Sequence, residues 1–400
     1  MTAPSRPLNA WLLARRQLMA YRARLAMPFK GGQERATAPF VRSMINTHHL
    51  LFGFVLASIP AWLIGVWNLG YQVEQVLRHT GGATLAGWQG VVHGLLMAPA
   101  GSGVDTAGPL ACVLLGLTWH LPLLGVVLLV TLFWELLFAN RAGHGIDPGW
   151  LMTAWLFVLL LPPAVSPLLA AVGVSFGVVL GGHIFGGSGR YVVSPALLGV
   201  LFLSVGYPGL FDIGVPVGGV PVGGVPIEGL VVNTTWAAVA VEGEAAAGDF
   251  MMTLLGSQRG ALGTGSALAC LAGAACLLAI GAASARTLIG ALAGLVVGAS
   301  LANLGASDDP VRALGWHWHL VLGNLAFAVV FVATDPSTGP LTRPARWVHG
   351  FMVGLLAVLL RAFDPSHPEA GLQAVLLAGL MVPLLDYLAL RRHAPAWGTS

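Results

Sequence analysis

Apolar residues recur in ten long runs along this 400-residue chain, separated by stretches rich in Gly, Pro and charged residues. Most runs approach the roughly 20 residues that a helix needs to cross a bilayer, although the third is short and Pro195 interrupts the fifth. The pattern predicts an all-α, polytopic integral membrane protein with about ten transmembrane helices. The predicted segments cover about residues 47–68, 110–138, 150–163, 167–185, 192–206, 264–282, 286–304, 317–334, 345–361 and 371–390.

Five predicted helices precede the long connection at 207–262 and five follow it. Each half also places Ser, Gly and Pro at the inner end of one helix, in FGGSGRYVVSPALLG and in ATDPSTGPLTRPARW. This arrangement fits two inverted five-helix halves with interrupted helices, a plan found in transporters. The predicted divisions are a cytoplasmic basic arm at 1–46, a first membrane half at 47–206, an extracytoplasmic loop at 207–262, a second membrane half at 263–390 and a cytoplasmic tail at 391–400.

The long loop between the halves contains a pentapeptide repeat. VPVGG occurs at Val215–Gly219 and Val220–Gly224, and VPIEG follows at Val225–Gly229. Because Pro and Gly at this spacing cannot sustain a membrane helix, we expect turns or flexible chain outside the membrane.

Composition and charge agree with a membrane protein and suggest its orientation. Hydrophobic residues make up 56% of the chain, charged residues 9%, and the mean hydropathy is +0.81. The basic N-terminal arm marks a cytoplasmic end rather than a nucleic-acid site, and the later basic residues fall on the same side, so both termini should be cytoplasmic. Those later residues are Arg141, Arg190, Arg286, Arg343, Arg346, Arg391 and Arg392.

The stretch Trp316–Pro340 carries the most informative polar residue. An apolar run ends at Asp335, immediately before Pro336, which disfavours continuation of a helix. Phe327, Phe331 and Asp335 follow at four-residue intervals and would share one face of a regular helix. An acid at a membrane helix end is a functional candidate, while the alternative is a packed aromatic stripe whose Asp335 caps a loop at the interface.

Several motifs together resemble a known family. They are FWELLF at Phe133–Phe138, FGGSGRYVVSPALLGVLFLSVGYP at Phe185–Pro208, WHWHLVLGNLAFAVVFVATDP at Trp316–Pro336 and RAFDPSHPEAGLQAVLLAGLMVPLLD at Arg361–Asp386. The chain resembles, over about residues 41–390, the B subunit of the sodium-translocating NADH:quinone oxidoreductase and the related D subunit of the Rnf ferredoxin:NAD complex.

The resemblance implies a ten-span subunit of a larger redox complex that relays electrons through flavins and passes Na+. Carried onto this chain, the ion-pathway acids are Glu135, Asp335 and Asp386, and Phe327 and Phe331 match rings at an ion constriction. Hard oxygen ligands suit an alkali cation, and carboxylates in a membrane must be paired, protonated or cation-bound. Each acid also has a local alternative, because Glu135 could pair with Arg141 and Asp386 could cap the last helix near Arg391.

The sequence departs from the family where flavins bind. The SGAT motif, whose Thr carries FMN, is absent, and Thr235 is the best-placed substitute. Tyr191 and Ser194 stand where the family has Asn residues that help to hold riboflavin, and Thr264 replaces an acid. These departures indicate a divergent paralogue that has lost some or all of its flavins.

Other chemistry finds little support in the sequence. Cys112, Cys270 and Cys276 lie in apolar surroundings and resemble small core residues. His317 and His319 could suggest haem ligation, but they belong to a stretch matched in a family without haem there. No catalytic residue or metal site of the chain itself is predicted.

Two functions therefore remain open. The first is a membrane subunit of an Nqr or Rnf-like redox-driven complex, which supplies an ion pathway and a scaffold for membrane and peripheral electron-carrying subunits. The second is a flavin-free conduit or docking subunit, for an ion, proton or small solute, in a different membrane system. Neither predicts a nucleic-acid partner.

Overall fold

The computed structural model describes residues 47–79, 91, 109–142, 146, 148–162, 165–187, 191–208, 221–222, 225–226, 236, 239–240, 243–256, 260–305, 309–365 and 367–393. The first half contains α1 (Thr47–His79), α2 (Pro109–Ala142), α3 (Gly149–Leu160), α4 (Pro167–Phe176) and α5 (Pro195–Gly206). After the short α6 (Phe250–Leu255), the second half contains α7 (Ala267–Ile280), α8 (Ala285–Leu304), α9 (Trp316–Val321), α10 (Leu325–Phe327), α11 (Arg343–Phe363), α12 (Ala370–Leu380) and α13 (Val382–His393).

The helices confirm the predicted multi-pass membrane protein. Within the described residues, six segments are long and apolar enough to cross a bilayer: Leu50–Glu74, Pro109–Arg141, Pro167–Phe185, Ala285–Leu304, Arg343–Phe363 and Ala370–Arg391. The shorter helices α3, α5 and α7 and the interrupted segment 316–332 lie at the remaining predicted positions. Large apolar side chains such as Leu129 and Phe133 are exposed on the outside, as lipid contact requires.

Local sequence explains where individual helices begin and end. Ser166 accepts a hydrogen bond from the Leu169 N–H and precedes Pro167, so α4 begins with a capping residue followed by Pro at its first position. Ser266 caps α7 in the same way through the Ala269 N–H. α7 ends at Gly281, whose φ of 76° needs a residue without a side chain.

The two halves repeat the same order of neighbouring helices. In the first half, α2 packs against α3 and α4, and α5 packs against α4 and α3. In the second half, α8 packs against α9 and α11, and α12 packs against α11 and the segment that follows α10. This correspondence supports an internal repeat, and the inverted orientation of the halves stays a prediction.

Two predicted helices have a different geometry from the one expected. The segment expected as a single helix over 317–334 is interrupted, because Leu322 is extended and Gly323 has a φ of 74°. A π-helical turn, Ala328–Val332, then replaces regular α-helix, so the four-residue spacing of Phe327, Phe331 and Asp335 does not describe one α-helical face. In the other half, α4 continues as a π-helical turn and a 3-10 turn, Gly177–Gly182 and His183–Phe185.

The pentapeptide loop contains a short strand pair. β1 (Pro221–Val222) and β2 (Val225–Pro226) are antiparallel, with Val222 opposite Val225. Each strand has only two residues, so the pair agrees with the turns that the Pro and Gly content predicts. The basic arm at 1–46, Arg190 and Thr235 lie outside the described residues.

Candidate ion pathway

Asp335 is buried at the end of the interrupted segment, with 3% of its surface exposed. Its Oδ1 accepts hydrogen bonds from the backbone N–H of Ser337 at 2.9 Å and from the Ser337 hydroxyl at 2.7 Å. Its carbonyl also accepts the Gly339 N–H. Asp335 therefore organises a tight turn, as the loop-cap alternative expected.

The same carboxylate also lines a cavity of about 240 Å³. The polar residues around this cavity are Thr153, Tyr191, Ser194, Asp335 and Ser337. The fold thus brings Asp335, assigned to ion passage by resemblance, beside the two positions at which the family holds riboflavin. This volume lies just below the roughly 300–1,000 Å³ that is usual for pockets of drug-sized ligands.

Phe327 and Phe331 form a closed aromatic pair in the same segment. Both rings are fully buried, and their centroids lie 4.7 Å apart at an angle of 41°. Glycines leave the space for them: a Cβ at Gly263 would lie 2.6 Å from the Phe327 ring, and one at Gly273 would lie 2.5 Å from the Phe331 ring. The rings therefore fill the core along the segment that runs from the break at residues 322–324 to Asp335.

Arg361, near the end of α11, occupies the break itself. Its guanidinium donates Nη1–H to the His319 carbonyl at 2.6 Å and Nη2–H to the Leu322 carbonyl at 2.8 Å. The side chain has no exposed surface, and its Cζ lies 4.7 Å from the centroid of the Trp236 ring. Sequence reasoning did not assign Arg361 a role, although a basic residue inside an apolar segment is itself a functional signal.

Glu369 lies beside this break, in the loop before α12. Its Oε1 is 3.3 Å from Nδ1 of His367, and its Oε2 has no hydrogen-bond partner. Burial raises the pKa of the Glu369 carboxyl. Hydrogen bonds from its own backbone, Ser204 and His367 and the charge of His367 lower the pKa, but burial has the larger effect. A carboxyl with a raised pKa in the folded state stabilises the fold below its unfolded-state pKa, and this contribution is lost as pH rises through the folded-state pKa.

We therefore expect Glu369→Gln to raise the melting temperature of the detergent-solubilised protein at neutral pH. The difference from wild type should shrink as pH falls to about 4, where the unfolded-state carboxyl is also half protonated. Thermal unfolding followed by intrinsic fluorescence at several pH values measures this. Asp364→Asn is the matched control, because Asp364 also faces His367, at 3.4 Å, but is exposed. A constant difference across the pH range would contradict the assignment.

Glu135 lies in the membrane part of α2 and is not among the described residues that line the cavity. Its Oε2 is 3.7 Å from Nε2 of His183, and both side chains are largely buried. The His183 ring stacks on Phe138, with centroids 4.2 Å apart. The second predicted acid thus meets a histidine of the 3-10 turn after α4, whereas the sequence had suggested Arg141 as its local partner.

Asp386 has a capping role between helices. Its carboxylate accepts the backbone N–H of Leu341 and of Thr342, both at 2.9 Å, and the Thr342 hydroxyl at 2.7 Å. It therefore holds the start of α11 rather than the end of its own helix, which was the local alternative. Asp386 does not line the cavity that contains Asp335.

The remaining predicted residues are placed in part. Ser194 is buried at the start of α5, and the Tyr191 ring lies near Gly182. Thr235 lies outside the described residues, but the adjacent Trp236 is buried and donates its indole N–H to the Pro365 carbonyl at 2.8 Å. No group of three or more His, Cys, Asp or Glu side chains that could hold a metal occurs in the described part of the chain.

Comparison with known proteins identifies relatives over nearly the whole chain. The model of the NQR2, RnfD, RnfE family matches residues 34–394. A protein of Azotobacter vinelandii, named as the B subunit of a Na(+)-translocating NADH-quinone reductase, is 36% identical over 362 residues, which cover 89% of this chain and 87% of the relative. Proteins of the same name from Pseudoalteromonas atlantica and Stutzerimonas stutzeri are 33% and 32% identical, covering 92% and 93% of this chain and 90% and 91% of those relatives.

Proposed function

We propose that this chain, which belongs to the NQR2, RnfD, RnfE family, is the membrane subunit of a redox-driven complex that translocates Na+. The observation that carries the proposal is the buried Asp335 carboxylate, which lines a cavity in a multi-pass membrane protein. A buried charge of this kind needs a proton or a cation, and the cavity has room for one. The identity of the ion and of the complex is inferred from the name of the relatives.

The proposed pathway follows the interrupted segment, from Asp335 at one end to the pair Phe327 and Phe331 in the middle. At one end, Asp335 and the hydroxyl-bearing residues Thr153, Ser194 and Ser337 line a cavity whose other residues are mostly apolar. The Phe327–Phe331 pair closes the middle, since both rings are fully buried and in contact distance. A hard cation such as Na+ would exchange part of its water for these oxygens at Asp335, and the aromatic pair would stop free leakage.

The other two acids have supporting roles in this proposal. Glu135, facing His183, lies within the membrane on a different helix and offers a second carboxylate for the cation. Asp386 stabilises the turn that joins the interrupted segment to α11, since it binds Leu341 and Thr342. A change at Asp386 should therefore affect transport through the position of Asp335.

Partner subunits would carry the electrons. We propose a hetero-oligomeric complex in the bacterial inner membrane, with both termini of this chain cytoplasmic and its apolar faces against lipid and neighbouring subunits. The proposal includes no covalent FMN on this chain, because the SGAT motif is absent around Thr235. It includes no riboflavin in the cavity of about 240 Å³, which is small for a flavin.

Intact mass spectrometry of the purified chain tests the flavin assignment. We expect the unmodified mass and no fluorescent band on a denaturing gel, because the residues that prepare a Thr for the phosphoester are missing. An added mass of one FMN that disappears in Thr235→Ala would overturn this expectation. A control subunit that carries the SGAT motif should fluoresce on the same gel.

Electron-driven ion uptake tests the function. The complex purified through a tag on this chain is reconstituted in liposomes with trapped Na+ indicator and supplied with NADH or reduced ferredoxin. We expect Na+ uptake that a protonophore does not inhibit and a Na+ ionophore abolishes. Uptake that collapses with the protonophore would make H+ the driving ion, and co-purification with a non-redox system would favour a conduit or docking subunit.

A further inference from the structure

The break between α9 and α10 leaves backbone carbonyls without helical partners. α9 ends at Val321, Leu322 is extended, and Gly323 has a φ of 74°. The carbonyls of His319 and Leu322 lie at the C-terminal end of α9, which is the negative end of its dipole. In membrane transporters with interrupted helices, such ends and unwound carbonyls are places where cations bind.

In this protein the guanidinium of Arg361 occupies that position. It donates one N–H to each of the two carbonyls, at 2.6 and 2.8 Å. We propose that Arg361 is a tethered cation that fills the cation-binding end of α9 and forms the outer charge barrier of the ion pathway. Arg361 is thus a specificity-determining residue, and this inference rests on the proposed function in Na+ passage.

The surroundings hold the guanidinium in place. Trp236 covers its face and is itself anchored through the indole N–H to the Pro365 carbonyl. On the other side the chain passes close at Gly323, where an added Cβ would lie 2.9 Å from Nη2. Because the side chain is fully buried, it has no solvent to move into, and its charge stays at the break.

The barrier has a direct consequence for ions in the pathway. A cation that moves from Asp335 past Phe327 and Phe331 meets a fixed positive charge at the break. The carbonyls that could replace its water are already bonded to Arg361. Passive flow through the resting subunit should therefore be blocked by charge as well as by the aromatic pair.

Passive Na+ entry into liposomes that contain the full-length chain tests the proposal. We expect Arg361→Gln, which removes the charge, to raise Na+ entry about tenfold or more. The matched control Arg361→Lys keeps a positive charge at the break, although an ammonium cannot hold both carbonyls in the same geometry, so its Na+ entry should stay well below that of the Gln variant. Equal, slow entry in the Gln and wild-type proteins would overturn the proposal.

A second readout separates a charge barrier from a purely structural role. In Arg361→Gln the freed carbonyls should accept a mobile cation, so the variant should melt at a higher temperature in sodium chloride than in choline chloride. Wild type should show no such difference. Equal melting temperatures of the variant in both salts would mean that water caps the carbonyls and that the α9 end is no cation site.

Arg361→Met gives the same test with an unbranched apolar side chain that also removes the charge, and it decides if Arg361→Gln does not reach the membrane. Na+ entry should rise as in the Gln variant. The outcomes also separate the two proposals. If the complex takes up Na+ on electron supply but the Arg361→Gln subunit shows no increase in passive Na+ entry, only the proposal of a charge barrier is overturned. If the Arg361→Gln subunit shows increased passive Na+ entry but the complex takes up no Na+ on electron supply, only the proposal of redox-driven Na+ translocation is overturned.

Discussion

Replacing Asp335 by asparagine is expected to abolish electron-driven Na+ uptake, to below about one tenth of the wild-type rate, while the subunit stays folded. Asn has the same shape and its Oδ1 can still accept the two hydrogen bonds from Ser337, so the turn should persist. The lost property is the negative charge that faces the cavity. The rate of Na+ uptake by reconstituted complex, at equal amounts of assembled subunit, measures the effect.

Ser337→Ala is the matched control for Asp335→Asn. It removes the 2.7 Å hydroxyl bond to Asp335 but keeps the backbone bond and the carboxylate. We expect a smaller decrease of the rate, because the loss is one hydroxyl bond to the carboxylate, about 1.5–3 kcal/mol, while the negative charge stays. If both variants lose transport equally, the turn and not the charge is what transport requires.

The largest effect on folding is expected from Gly294→Val. Gly294 lies on α8 where α11 approaches closely, and an added Cβ would lie 2.0 Å from the Phe351 carbonyl oxygen. The glycines of α11 are equally close to α8: an added Cβ would lie 2.2 Å from the Thr287 carbonyl oxygen at Gly350 and 2.0 Å from the Ala291 carbonyl oxygen at Gly354. Small residues let membrane helices come together in this way, and a side chain here must force the backbones apart. We expect a loss of about 3 kcal/mol or more and little folded protein.

Fluorescence-detected size-exclusion chromatography of the tagged subunit in mild detergent measures this loss as the fraction in the monodisperse peak. Gly125→Val is the control, because a Cβ on Gly125 in α2 would meet no atom within 4 Å. The control carries the same β-branched residue in a membrane helix and should keep most of the wild-type peak. Similar losses in both variants would show that helix propensity, and not the α8–α11 contact, is responsible.

Only part of the candidate site follows from the sequence. The end of the apolar run at Asp335 predicts a buried acid near a membrane helix end, and resemblance adds Glu135, Asp386 and the two Phe rings. None of these patterns shows that Asp335 shares a cavity with Tyr191 and Ser194, which lie more than 140 residues earlier in the chain. Their functional roles and the predicted domain boundaries stay predictions.

The sequence by itself determined that the chain is a helical, multi-pass membrane protein and where most of its helices lie. The physical reason is local: a long apolar run in lipid must satisfy its backbone hydrogen bonds within the segment, which leaves the helix as its structure. Resemblance over some twenty consecutive residues was then enough to indicate the family, and the comparisons confirmed it.

The tertiary structure alone decided the break at Leu322–Asn324, the partner of Asp386 and the place of Arg361. Each depends on residues far apart in the sequence: Arg361 bonds to carbonyls 42 and 39 residues away, and Asp386 to Leu341, 45 residues away. An apolar run that contains a single Gly predicts an uninterrupted helix. The interruption is stable here because a guanidinium from another helix satisfies the carbonyls that it frees, and such a contact forms only when the helices pack.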